Sequence, residues 1–370
     1  VISPQYEKPD KLRSFVLTLR KNFANKDVII DPQFYVGALQ GPKKEGRLPE
    51  YPYYRSNLTR RSLRSPKNIS LFVKDSLDYQ MTLNVTHLIT PTVLFNGIDE
   101  PFFEFSLQLA EASIEHYSTL SKPPPLFLSL VMSEDILKKR SSTDLLLDEI
   151  TLYQASGFYI VIDHSLSSYE PQFNHMILSN LLYLTYSLSQ LNNFKIIFGY
   201  SSFVGLLLHA VGATSTACGW FGTSRKFSLS RFRPSSGGRP ARPRYSSIPL
   251  LNSILVTPEL SACSDVGLLD KVLTGTSFDG IFRSNTTTAQ WSIETSTLHH
   301  WEALTGATQV ILKQGDTTNR LHYLLDSIEH ARSLYVSLRK KGVQFEVRSA
   351  EAHLEKWEMA ISEFIEAISI

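Results

Sequence analysis

Three polar residues stand where a buried run of apolar residues stops, and these are the residues best placed for chemistry. Asp31 closes "DVIID" in the stretch "IIDPQFY", and Pro32 cannot continue a strand ladder. Asp163 and His164 close "GFYIVIDH". A carboxylate beside an imidazole is an acid–base pair, so Asp31, Asp163 and His164 are the catalytic candidates. Neighbours on a strand face opposite ways, which predicts that only one of Asp163 and His164 reaches a shared mouth. The plain alternative for Asp31 is an Asx turn that caps loop amides. Gln33 and Tyr200 follow strand-like runs and are candidate substrate-binding residues.

Two basic stretches accompany them. Residues 225–244 hold Arg225, Lys226, Arg231, Arg233, Arg239, Arg242 and Arg244 with no acid among them. Residues 51–74 hold Arg55, Arg60, Arg61, Arg64, Lys67 and Lys74, again with no acid. Tyr51, Tyr53, Tyr54, Phe227, Phe232 and Tyr245 lie within or beside them. Arginines fork onto phosphates and aromatic rings stack on unpaired bases, so the expectation is a nucleic-acid or phosphate grip. The whole chain carries only +2, so any such grip must come from local clustering. The competing expectation is a pair of solvated loops.

Metal and cofactor signals are lacking. Cys218 and Cys263 are the two cysteines; they form neither a disulfide framework nor a Cys-x-x-Cys zinc pair. His299 and His300 have no matching ligand spacing, His87 reads as structural, and Cys218 reads as a small buried residue. "HAVGATSTACGWFG" lacks the glycine order of a nucleotide-binding loop, so no cofactor is expected. The opening "VISPQYEKPDKLR" lacks the apolar core of a signal peptide, and no apolar run is long enough to cross a membrane. A cytoplasmic location is expected.

The elements that must position these residues alternate. Strand-like runs at 27–31, 86–95, 125–132, 157–164, 194–200, 213–219, 249–256 and 278–282 are separated by helical patterns at 101–120, 142–156, 174–191 and 202–212. Short apolar strands alternating with helices indicate a parallel α/β fold. At this length a (β/α)8 TIM-like barrel with C-terminal helices is expected, and a doubly wound open sheet is the alternative. The division expected is an N-terminal helical segment over 1–26, the barrel over 27–295 and packed helices over 296–370. Barrel logic puts both basic loops at one mouth, because active sites gather where strands end.

The segment order also resembles the tRNA-guanine transglycosylase superfamily, barrels that exchange a guanine base in nucleic acid. The resemblance runs in order over 27–305 and is carried by "PPLFLSLVMSEDILKKRS" (124–141), "ASGFYIVI" (155–162) and "FGYSSFVGLLLHAVGATSTACGWFGTSRKF" (198–227). It implies a nucleic-acid-facing mouth, with tRNA or DNA as partner. The family's nucleophilic Asp falls at Ala217, its base-binding turn at Val131, Met132 and Ser133, and its base-reading Asp near Pro91 and Thr92. Its zinc loop falls near 286–300, where there is no Cys, and "DPQFYVG" matches its other Asp motif only loosely, at Asp31. Alanine cannot attack a sugar carbon. Three readings follow: a transglycosylase-like barrel active in base modification, a non-catalytic nucleic-acid-binding subunit of a modification or defence complex, and a barrel enzyme of sugar phosphates or nucleotides.

Overall fold

Seven strands organise a computed structural model that describes residues 1–164, 173–220, 222–234, 237, 240–284 and 290–368. They are β1 (Leu88–Ile89), β2 (Leu126–Ser133), β3 (Gly157–Asp163), β4 (Lys195–Phe198), β5 (Ser215–Thr216), β6 (Arg244–Ser247) and β7 (Asn252–Leu255). β1 to β5 form one parallel sheet in sequence order. β2 and β3 carry it, in register from Phe127↔Gly157 to Ser133↔Asp163. Every residue of β2 is buried, as continuous apolar runs in parallel sheets require.

Residues 28–30 lie along the β1 side without forming a full strand. Ile30 bridges Ile2 in parallel, and the Thr86 amide donates to the Val28 carbonyl at 2.9 Å. Because the strands run parallel, Asp31, Ser133, Asp163, Gly199 and Ala217 all fall at the same, C-terminal end of the strands.

Helices fill the connections. Pro101–Thr119 starts with proline in its first turn, where the missing N–H costs nothing, and packs on Pro66–Met81 and β2. His175–Tyr186 is capped by the Asn174 side chain, which accepts from the Met176 amide. The C-terminal helix Ala352–Ile368 packs on His175–Tyr186, and Ile293–Leu312 and Thr317–Lys340 pack on Val204–Ala210.

The eight-stranded closure expected from the sequence is not what the last third forms. Within 249–256, Asn252–Leu255 is extended but pairs antiparallel with β6 as a separate two-stranded sheet. The run at 278–282 is not a strand. Asp279 folds it into a turn, its carboxylate accepting from the Gly275 and Thr276 amides, and Gly280–Ser284 continues as helix. A short apolar run has the same composition in either state, so local chemistry decided.

Candidate functional site

Asp31 is 1% exposed, yet its carboxylate is held by three donors. Oδ1 accepts the Gln33 backbone N–H at 3.0 Å, while Oδ2 accepts the hydroxyls of Tyr35 at 2.9 Å and Tyr159 at 3.2 Å. The turn places Gln33 at φ 52°, in the left-handed region. Burial pushes the Asp31 carboxyl above the usual range, against the pull of these donors and of Arg231.

Gln33 and Tyr200, the candidate substrate-binding residues, lie beside Asp31. The Gln33 Oε1 accepts the Gln5 amide at 3.1 Å. Its Nε2 is buried beside the Tyr200 oxygen without reaching good hydrogen-bond geometry. Burial and nearby Asp31 push the Tyr200 hydroxyl up to about 12. The Arg231 guanidinium lies 5.1 Å from the Tyr200 ring. Its Nη2 donates to the Tyr6 hydroxyl at 3.0 Å, and its buried Nη1 has no acceptor among the described residues.

A second cluster forms at the end of β3. The Asp163 Oδ1 accepts the Leu229 amide at 2.7 Å. The His164 Nδ1 is 3.0 Å from the Glu134 Oε2, with both side chains buried. Burial pushes the Asp163 carboxyl up and the Lys226 ammonium down, while Glu134 and Asp163 oppose the shift at Lys226. Asp163 and His164 bond different partners, the Leu229 amide and Glu134, and His164 but not Asp163 lines the neighbouring cavity. β3 ends at Asp163, so strand alternation does not extend to His164.

The segment 222–233 ties the clusters together. Phe227 packs on Tyr35 and Tyr200 at 5.4 and 5.1 Å between ring centroids, and its carbonyl accepts the His164 amide. Phe232 packs on Tyr35 at 6.3 Å. A small cavity beside His164 and Tyr200 is lined mostly by apolar residues, among them Ile162, Phe173, Leu181, Phe198, Val204 and Leu208.

The basic residues do not form an open ring. Arg225 and Lys226 are each 6% exposed. Arg55 pairs with Asp75, and Arg242 and Arg244 both pair with Glu346. Arg233 donates to the carbonyls of Gln40 and Pro42. Arg60 lies 5.8 Å from the Phe102 ring, and both Arg60 and Arg61 are exposed. Arg239 lies outside the described residues. Tyr51, Tyr53, Tyr54, Phe227, Phe232 and Tyr245 are all buried, so the aromatics expected to stack on bases belong to the core.

Sequence reasoning missed Glu134, Tyr35 and Tyr159. Glu134 carried a usable signal, since it directly follows a buried strand just as Asp31 does. Tyr159 carried none, because an inward tyrosine inside an apolar run reads as core. Among the described residues no group of three or more His, Cys, Asp or Glu is arranged to hold a metal, and no helix is long and apolar enough to cross a membrane. No family model matches the chain, and no curated protein matches it.

Proposed function

We propose that the protein is an α/β enzyme, built on its parallel sheet, that performs acid–base chemistry on a small phosphorylated substrate, a sugar phosphate or nucleotide. The substrate binds at the strand ends beneath residues 222–233. One observation carries the reading: Gln33 Nε2 and Arg231 Nη1 are buried donors with no well-placed acceptor beside Asp31. Each such donor costs about 1–3 kcal/mol, which a phosphate oxygen would recover. Burial pushes the Asp31 carboxyl up, which weakens the negative charge beside Arg231 and leaves that guanidinium better able to attract an anion. The parallel order of β1 to β5 gathers these residues at the C-terminal ends of the strands, where α/β folds place their ligands.

In this reading the Glu134 carboxylate accepts a hydrogen bond from the His164 Nδ1–H, fixing the tautomer that leaves Nε2 as the base. Asp31, whose carboxyl is pushed up by burial, is the matching proton donor. Arg231 and Gln33 hold the anion. A thermal-unfolding series with inorganic phosphate, ribose 5-phosphate and AMP tests this. At 100-fold excess over Kd, a bound phosphate ester is expected to raise Tm by about 3 °C or more. No shift with any of the three would overturn the reading.

A second reading is favoured by a different observation. Arg60, Arg61, Arg64 and Lys67 are exposed, and none forms an ion pair among the described residues. That patch suits a nucleic-acid backbone, consistent with the transglycosylase resemblance, in either a base-modifying barrel or a binding subunit. Ala217 supplies no nucleophile, so this reading predicts binding without base exchange by the family's route. Four phosphate contacts give a log–log salt slope of about −3.6 on duplex DNA, and a flat salt dependence excludes it.

A further inference from the structure

A separate arrangement stands at the end of β5. The Cys218 Sγ lies 3.1 Å from the His300 Nε2, and the His300 Nδ1 lies 2.7 Å from the Ser246 Oγ. A nucleophile within reach of a base, with the base oriented by a third group, is the arrangement used for covalent catalysis. His300 is fully buried and Ser246 is 1% exposed, so the base is fixed, whereas Cys218 is only half-buried. Trp220 and Trp301 flank it at the surface, 39% and 37% exposed, with ring centroids 5.5 Å apart. The Trp301 Nε1 donates to the Cys218 carbonyl at 2.9 Å. Cys263 offers an internal contrast: it is buried, and its thiol is pushed up to about 12 by burial and by Glu259.

We propose that Cys218 is a nucleophile, with His300 as its base and Ser246 orienting that base, acting on esters that carry an aromatic group. The two tryptophans offer such a group flat apolar faces. As sulfur attacks the carbonyl carbon, the thiol proton passes to the His300 Nε2 and the C–S bond forms. The C–O bond to the leaving alcohol then breaks, and the alcohol takes that proton. Water hydrolyses the thioester, with His300 moving the water proton to sulfur, to release the acid and restore the thiol. This activity is independent of the phosphate site proposed above.

Burial, together with Arg225 and His299, holds the His300 pKa well below its usual value, so the ring stays a neutral base across neutral pH. The wild-type pH profile is therefore diagnostic. With p-nitrophenyl acetate, acylation of Cys218 is expected to change less than about 3-fold between pH 6.5 and 8.5. An unassisted thiol, with a pKa of about 8.5, would gain about 50-fold over that range. One equivalent of p-nitrophenol per chain should be released in a burst, and mass spectrometry should place the acetyl group on Cys218. Cys218→Ala should abolish the burst, and His300→Gln should slow it at least 10-fold. A profile that climbs about 50-fold, or acetyl found elsewhere than Cys218, overturns the proposal. The wild-type profile stands even if His300→Gln fails to fold.

Discussion

At the residue scale the decisive fact is how Asp31 is held. Its Asx-like turn onto the Gln33 amide is what the plain sequence reading anticipated, but two tyrosine hydroxyls from distant parts of the chain complete the cradle. Asp31→Ala would strand those hydroxyls and the Gln33 N–H, and is expected to cost about 3 kcal/mol in urea unfolding. Asp31→Asn should cost about 1 kcal/mol or less, because hydroxyls can turn to accept from its NH₂ and no charge is buried. If Asn costs as much as Ala, the carboxylate charge beside Arg231 is what matters. Asp31, Asp163, Gln33 and Tyr200 could be singled out from sequence because each lies at or just beyond the end of a strand-like run. The Cys218–His300 pair was not, because 82 residues separate its members and no local spacing links them.

At the element scale, β2 and β3 were the most legible parts of the chain. Their apolar runs exceed what an exposed strand could carry, and both are buried through nearly their whole length. Gly157 marks how closely β3 meets β4: an added Cβ would stand 1.9 Å from the Lys195 carbonyl oxygen. Gly157→Ala should therefore force the strands apart and cost about 3 kcal/mol or more, read as a lower urea midpoint. A cost below about 1 kcal/mol would mean the strands are not so closely paired. The β6–β7 hairpin was illegible as a hairpin, since the apolar run at 249–256 fits a parallel barrel strand equally well. What distinguishes it is pairing, Arg244↔Leu255 to Ser247↔Asn252, and the tie of Arg244 to Glu346 far along the chain.

At the scale of the whole molecule, a basic stretch in sequence became a largely neutralised segment in space. Its acids lie elsewhere, at Glu346, Asp163 and Glu134, so sequence clustering overstated the exposed positive field. Burial also sets the response to pH. His87, His209, His299, His300 and His353 are all pushed below the usual 6.5, mainly by burial. A histidine with a lowered folded-state pKa contributes stability above 6.5 that is lost as pH falls from there toward the folded value. Asp31, Asp163 and Glu259, pushed up by burial, act in the opposite sense: their contribution is present at low pH and is lost as pH rises through their raised values. The histidines outnumber these carboxylates, so Tm should fall on going from pH 7 to pH 5.5. A Tm that rises over that interval would show that the carboxylates dominate.

The central claim, a phosphate site beside Asp31, is tested most directly by isothermal titration of ribose 5-phosphate into the wild-type chain and Arg231→Met. The account predicts saturable one-site binding that Arg231→Met weakens at least 10-fold. Equal affinity in the two proteins, or no binding to either, would contradict it.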